Sequence, residues 1–554
     1  MPFASSYPPI AIPRDVDLWS LVFERKQRPF PTTKEIMTSG DTGRTYSWAD
    51  LRSASVEFGK GLQALWQWKR GDVLALYTPN SIDTPVVTLG ALWAGGTVSP
   101  ANPLYTVDEL TFQLKDSGAK ALVTQAPFLK TAIAAAAKVG IPESRIVLIG
   151  EHRDETGRFQ HFSNIRNTSS KGHCAKATIN SDKDLAFLVY SSGTTGLPKG
   201  VCLTHLNLIA NMLQSDYVEG NQWLPYGGCD GKGDKQLGVL PFFHIYGLTC
   251  SVLLTIYSGW QLVVLERFDM EKALQTIEAY RITFTYLPPP VILAFAKHPL
   301  VDKHDLTSLK VLHSGAAPLT KQLTEAVWHR LKIPVKQGFG LSETSPVTHC
   351  QRVEEWAKHM GSVGKLFPNM EAKIVDESGD EVTGDEAGEL WVKGPNVFKA
   401  YLNNPGRTRE AFSPDGYFKT GDIFRRDKHG NYYCVDRLKE LIKYKGFPVP
   451  PAELEGVLVG HEDIADACVI GIEDPAQATE VPRAYVVLGQ GVTASEAKAR
   501  ELSDWVAAQV APHKKLRGGI YFVDQVPKSA SGKILRRLMR DQVKREGRAA
   551  GAKL

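Results

Sequence analysis

One stretch of the sequence, Tyr190-Ser-Ser-Gly-Thr-Thr-Gly-Leu-Pro-Lys-Gly-Val201, gathers four serine and threonine hydroxyls, three glycines and one lysine. Glycines let backbone N–H groups approach phosphate oxygens closely, hydroxyls add donors, and Lys199 supplies a mobile positive charge. The chemistry this composition suits is polyphosphate binding, with a nucleotide as the natural guest. The candidate contacts are Ser191, Ser192, Gly193, Thr194, Thr195, Gly196 and Lys199. The stretch is not a Walker A loop: counting from Gly193, Pro198 stands where the second glycine belongs, and Gly200 replaces the serine or threonine after the lysine. A solvated linker is disfavoured, because an apolar run at residues 185–190 precedes it and a helix-like segment at 207–213 follows. A strand-to-helix connection is expected there.

The elements that must hold such a loop are legible as a rhythm. Apolar stretches such as Val73-Leu-Ala-Leu-Tyr77 alternate with helix-like segments such as residues 51–66, and the alternation returns over 121–149. This pattern predicts a layered α/β fold with a largely parallel sheet. Residues 361–437 are glycine-punctuated and strand-like, which predicts a small β-barrel subdomain. The compact unit that follows, residues 438–554, has the length of a separate lid domain, leaving 1–437 as the large N-terminal domain. Pro450-Pro-Ala-Glu-Leu-Glu455 puts proline and acids where a helix start favours them. Two segments, 164–182 and 219–235, read as variable loops.

Bulk properties exclude several classes. The 554 residues exceed one ordinary core, 43% hydrophobic and 23% charged content describes a globular protein, and a net charge of +5 is weak. The basic C-terminal stretch reads as a solvated helix face and not as a nucleic-acid site. Seven cysteines without Cys-x-x-Cys spacing argue against a disulfide framework or zinc site. The N-terminus carries no secretory pattern. The longest apolar run, 248–265, is broken by polar residues and glycine, so it reads as buried helix, turn and strand and not as a transmembrane segment. Ala552-Lys553-Leu554 repeats the order of the Ser-Lys-Leu peroxisomal address. The expected partner is a peroxisomal import receptor, and the expected location the peroxisome.

Five motifs in chain order resemble those of the adenylate-forming superfamily of acyl- and aryl-CoA ligases, luciferases and adenylation domains. Besides the phosphate loop, Gln337-Gly-Phe-Gly-Leu-Ser-Glu-Thr344 resembles the adenine and Mg²⁺ motif, and Gly416-Tyr-Phe-Lys-Thr-Gly-Asp422 the ribose motif. Asp436-Arg-Leu-Lys-Glu-Leu-Ile-Lys-Tyr-Lys-Gly446 resembles the hinge, and Pro527-Lys-Ser-Ala-Ser-Gly-Lys-Ile-Leu-Arg536 the C-terminal lysine loop. The resemblance implies a mobile α+β C-terminal lid and the co-substrates ATP and CoA with Mg²⁺.

The roles that it implies follow motif by motif. Gly315, Ala316, Ala317, Gln337, Gly338, Phe339, Gly340, Leu341 and Ser342 would surround the nucleotide base. Asp422 and Arg437 would take the ribose and phosphate, Glu343 would bind Mg²⁺, and Lys533 would meet charge developing during adenylation. Lys439 would be the hinge. Lys443 would serve the second half-reaction, with Lys445 and Gly446 lining the CoA channel. Pro241-Phe-Phe-His-Ile-Tyr-Gly247 resembles a gate motif that places His244 at the site. The acyl pocket would comprise His244, Tyr246, Thr249, Leu287, His313, Gly315, Gly338, Gly340, Pro346, Val347 and Thr348.

The sequence departs from plant 4-coumarate:CoA ligases in four places: Pro448 stands for glutamine, Thr249 for asparagine, His313 for lysine and Thr348 for an apolar residue. The implied activity is ligation of a carboxylic acid to CoA through an acyl-adenylate. Its rivals are an adenylating enzyme that loads a carrier protein, a luciferase, and an inactive nucleotide-binding protein. The short stretch after the lysine loop is expected to leave no room for a carrier domain, and an inactive protein would be expected to have lost Lys199, Glu343, Asp422 or Lys533; all four are present.

Overall fold

The computed structural model describes residues 2–168, 174–191, 198–228, 230–382, 384–445, 447–474, 477 and 479–551. Three sheets build the body. The first has eight strands in the order 400–401, 199–204, 185–191, 97–101, 73–77, 119–124, 146–148 and 160–161, parallel from 185–191 onward. The central strand Val73–Tyr77 is buried along its whole length, as a parallel strand covered on both faces must be. The second sheet has nine strands. Its parallel core is flanked by antiparallel strands, 347–350 with 365–366 at one edge and 45–47 at the other.

The segment 361–437 contributes the third sheet, antiparallel and five-stranded, with Phe3–Ala4 pairing onto Glu371–Val375 as an edge. Its strands follow one another in linear order; among the described residues no ladder closes it into a ring. From Ile442 onward the chain has its own apolar core, built by Leu454, Leu458, Val469, Val486, Leu502 and Val506 between a three-stranded sheet and flanking helices. Among the described residues no helix is long and apolar enough to cross a membrane.

The elements that position the site are β1 (Leu185–Ser191), β2 (Lys199–Thr204), α1 (His205–Glu219), β3 (Phe284–Leu287), α2 (Pro289–Lys297), β4 (Val311–Ser314), β5 (Val335–Gly340), β6 (Val347–Cys350), β7 (Phe418–Arg426), β8 (Tyr432–Arg437) and α3 (Pro451–Val459). The phosphate loop joins two antiparallel strands, with Lys199 opposite Ser191 and Gly200 opposite Tyr190, instead of running directly into a helix. The alternating Val201, Leu203 and Cys202 can bury both faces of a strand, so β2 intervenes. The helix waits for Thr204 and Asn207, whose side chains form a capping box.

Candidate active site

β7 and β8 bring the first pair together. Asp422 lies opposite Arg437 in the ladder, and Arg437 Nε sits 3.2 Å from Asp422 Oδ1. The second oxygen, Oδ2, is buried with no hydrogen-bond partner, in a residue only 3% exposed. Burial raises the Asp422 pKa, against the lowering pull of Arg437 and Lys533. An unpaired buried carboxylate oxygen is costly unless a ligand donates to it, and a pair of ribose hydroxyls supplies such donors.

Glu343 lies on a short turn, Ser342–Thr344, and its Oε1 accepts from Tyr401 Oη at 2.9 Å. Among the described residues its other oxygen accepts nothing. The Lys199 ammonium stands 5.0 Å from the Tyr401 ring centroid, and burial together with Arg407 lowers its pKa. One positioned carboxylate beside the Lys199 ammonium is a donor set that fits Mg²⁺, which keeps most of its ligands as water and phosphate. Ser192, Gly193, Thr194, Thr195 and Gly196 lie outside the described residues.

The lid closes this site with one lysine. Ser529 and Lys533 clasp a tight loop, Ser529 N donating to Lys533 O at 2.8 Å and Lys533 N to Ser529 Oγ at 3.1 Å. Gly532 takes φ of +81°, and a Cβ there would stand 2.7 Å from Pro288. Lys533 thereby enters a cavity of about 260 Å³ walled by Ala316, Ala317, Gly338, Phe339, Gly340, Leu341, Asp422 and Arg437 on the body side. Burial and the Arg437 guanidinium push the Lys533 pKa down to about 8, while Glu440 and Asp422 pull the other way. Burial and Lys533 in turn push His244 down to about 4, so its imidazole is neutral.

A second polar cluster lies behind β4 and β5. The imidazole of His313 is buried and packs 4.8 Å from the Tyr286 ring; its Nδ1 makes no hydrogen bond and stands 3.6 Å from Glu219 Oε1. Tyr246 Oη and Thr249 Oγ1 are likewise buried without partners. A Cβ on Gly315 would meet the Tyr246 ring at 3.0 Å, one on Gly338 would meet His313 Nε2 at 2.9 Å, and one on Gly340 would meet Pro346 O at 2.2 Å. Thr348 Oγ1 donates to Phe339 O at 3.3 Å, and Val347 exchanges hydrogen bonds with Asn211. Beneath them Lys336 donates to Glu219 at 2.5 Å, with both residues buried. Glu219, His313 and Cys350 hold their donor atoms within 4.8 Å of one another, but the Lys336 ammonium already neutralises the carboxylate. The trio fits an ion pair and not a cation site. Burial and Lys336 drive the His313 pKa well below its ordinary value.

The structure separates some expected site residues. Leu287 packs into the core with Leu312 and Val335, on the face of β3 away from His313; strand alternation gives that position to Tyr286. Gln337 is buried within the sheet, its N–H taken by Gln351 Oε1. Lys443 and Lys445 do not join Lys533. They lie on a two-stranded ribbon, their backbone N–H groups held by Glu480 and Thr479, and Lys439 and Lys443 line a shallow depression apart from the main cavity. Pro448 faces Lys443 across that ribbon. Gly446 and Ala552-Lys553-Leu554 lie outside the described residues.

Tyr286, Tyr401, Glu219, Lys336 and Glu440 were not singled out from the sequence. Their partners are distant in the chain: the pairing of β3 with β4 brings Tyr286 beside His313, that of 400–401 with β2 brings in Tyr401, and that of β4 with β5 sets Lys336 opposite His313. Glu219 arrives at the end of α1, and Glu440 just after β8.

The fold and site define a nucleotide-binding enzyme with a large α/β body and a smaller C-terminal lid. The AMP-binding enzyme family model matches residues 23–402, and the model of the AMP-binding enzyme C-terminal domain matches 453–533. The chain belongs to the AMP-binding enzyme family. It is 38% identical to probable 4-coumarate–CoA ligase 1 of Dictyostelium discoideum over 97% of each chain, and 37% identical to 4-coumarate–CoA ligase 1 of Petroselinum crispum over 98% of this chain and 96% of that one. Among solved structures it is similar to an anthranilate CoA ligase in complex with anthranoyl-AMP (TM-score 0.86, 25% identity, 97% of this chain and 99% of that one). It is also similar to a benzoate CoA ligase from Burkholderia xenovorans (TM-score 0.81, 25% identity, 95% of this chain and 100% of that one).

Proposed function

We propose that this chain is an ATP-dependent acyl- or aryl-CoA ligase, converting a carboxylic acid, ATP and CoA to acyl-CoA, AMP and pyrophosphate through an acyl-adenylate. The observation that carries the reading is the convergence of Lys533, Arg437 and an unpaired Asp422 oxygen on one cavity between body and lid. The names of the relatives at 37–38% identity support it. A carboxylate resists attack because its leaving group would be oxide; attack of its oxygen on the α-phosphate expels pyrophosphate and replaces oxide by AMP. Catalysis of that transfer is positioning and charge neutralisation. In this reading Asp422 accepts from the ribose, Arg437 and Lys533 meet the carboxylate and α-phosphate charge, and Lys199 with the phosphate loop holds the outgoing phosphates. Ala316 and Ala317 flank the base. Glu343 would hold Mg²⁺, whose charge would offset that of the phosphates.

The second half-reaction is assigned to the other lid face, with Lys439 as the hinge and Lys443, Lys445 and Gly446 at the CoA. For the acid, a neutral His313, a Glu219–Lys336 pair without net charge, and free Tyr246 and Thr249 hydroxyls favour an aryl acid bearing an uncharged hydrogen-bonding group over a second carboxylate. Ala552-Lys553-Leu554 is proposed as a peroxisomal address, tested by imaging a tagged protein that lacks it. The experiment for the activity is pyrophosphate release from an acid panel, with and without CoA, while thioester is followed. Release without thioester in any arm rejects the CoA assignment.

A further inference from the structure

The lid helix α3 has no capping side chain of its own. Pro450 at its N-cap makes no side-chain bond, and Pro451 starts the helix. Gly460 N and His461 N close the carbonyls of the last turn up to Leu458, but the first-turn N–H of Ala452 and the final carbonyl of Val459 take their partners from the body. Ala452 N donates to Asp436 Oδ2 at 2.8 Å, and Asp436 belongs to β8. At the other end Lys297 Nζ, the last residue of α2, donates to Val459 O, His461 O and Ile464 O at 2.8, 2.8 and 2.9 Å. All three protons of the ammonium are spent on carbonyls at and just beyond the helix end. A carboxylate at the N-terminus and a cation at the C-terminus are the signs the helix dipole favours.

The other end of α2 also meets the lid. Pro288, just before it, and Pro290 pack against Gly532, next to Lys533, so closely that no Cβ would fit. Helix α2 therefore holds the lid at two points, one beside the reacting lysine and one around the end of α3. Since Lys297, Asp436 and Pro288 sit on the body and Val459, Ala452 and Gly532 on the lid, these contacts exist only in the posture that inserts Lys533. A rotated lid would leave the ends of α3 to water.

We propose that Lys297 is a positioning residue for the acid-activating half-reaction, a latch that holds the lid with Lys533 in the site and must release before CoA attack. The proposal rests on the ligase reading. Its test is Lys297→Met, compared with wild type in acid-dependent ATP–pyrophosphate exchange, in thioester formation from supplied acyl-adenylate and CoA, and in hydrogen–deuterium exchange of residues 451–464 and 528–535. Exchange kcat should fall about tenfold or more, with thioester formation within twofold, and those two segments should lose protection while the strands of the body keep theirs. Equal loss of both half-reactions, or unaltered pyrophosphate exchange, would overturn the latch. Should Lys297→Met fail to fold, Lys297→Gln, which retains a donor, is expected to give the same split at smaller amplitude. If wild type shows no exchange with any acid, the ligase reading falls, and unchanged protection at 451–464 in the variant would then refute the latch separately.

Discussion

Asp422 and Arg437 face each other across adjacent antiparallel strands, joined through one carboxylate oxygen at 3.2 Å, while the other oxygen is buried and unsatisfied. The pair leaves one strong acceptor aimed at whatever enters the cavity.

Asp422→Asn keeps the shape and removes the charge. Hydrogen bonds to charged groups contribute about 1.5–3 kcal/mol, so the affinity for ATP should drop roughly 10- to 150-fold. Calorimetric titration of the variant with ATP and Mg²⁺ checks this. A variant that binds like wild type would remove Asp422 from the nucleotide site.

Tyr401→Phe removes the hydroxyl that orients Glu343. One neutral-to-charged hydrogen bond is at stake, so the Mg²⁺ concentration for half-maximal activity should rise about fivefold or more, with little change in thermal midpoint. A Mg²⁺ dependence like that of wild type would sink the assignment of Glu343 to the metal.

The pH dependence follows from Lys533. Its pKa is pushed down to about 8 in the free enzyme, by burial first and Arg437 second, and the ammonium is the form that meets developing negative charge. Below that pH the charged form dominates; as pH rises through about 8 it is lost. Hence kcat/KM for acid activation should fall above pH 8, since this ratio reports free-enzyme ionisations. Lys533→Arg, always charged, should be slower but lose the descending limb, as a pH–rate series would show.

The pair Glu219–Lys336 lies beneath His313, on the side proposed for the acyl group. Lys336→Met leaves a buried carboxylate uncompensated and should cost about 3–5 kcal/mol in denaturant unfolding. The double variant Glu219→Gln with Lys336→Met should recover much of it. A double variant no more stable than the single one would show that the pair is not the source.

Gly338→Ala would place a methyl 2.9 Å from His313 Nε2. The imidazole must move, and the KM for the acid should rise by about tenfold or more, with a smaller rise in the KM for ATP because Gly338 also walls the cavity shared with Asp422 and Lys533. Steady-state kinetics with each substrate varied in turn distinguishes these effects.

Candidate residues that sit in compositionally distinct local motifs could be picked out without coordinates. Lys199, Glu343, Asp422 and Lys533 each sit in a short motif whose neighbours carry the signal, and the alternation around Val73–Tyr77 announced the parallel sheet. The helix at Pro451 was legible for the same reason. Facing is not legible in a short buried strand: Tyr286, not Leu287, meets His313, since adjacent residues on a strand point to opposite sides. Nor does the sequence show that β2 precedes the helix after the phosphate loop, because a strand as short as β2 looks like a linker until its partner is known.

Sequence alone determined the family-type chemistry, the α/β layering and a nucleotide site, because each is written in residues close together in the chain. Only the tertiary structure decided that Tyr401 orients Glu343, that Lys336 neutralises Glu219 beneath His313, and that Lys297 and Asp436 cap a lid helix from outside it. Such pairs join residues 16 to 167 positions apart. Their energy depends on distance in space and on desolvation, and neither is set until the sheets have stacked and the lid has docked.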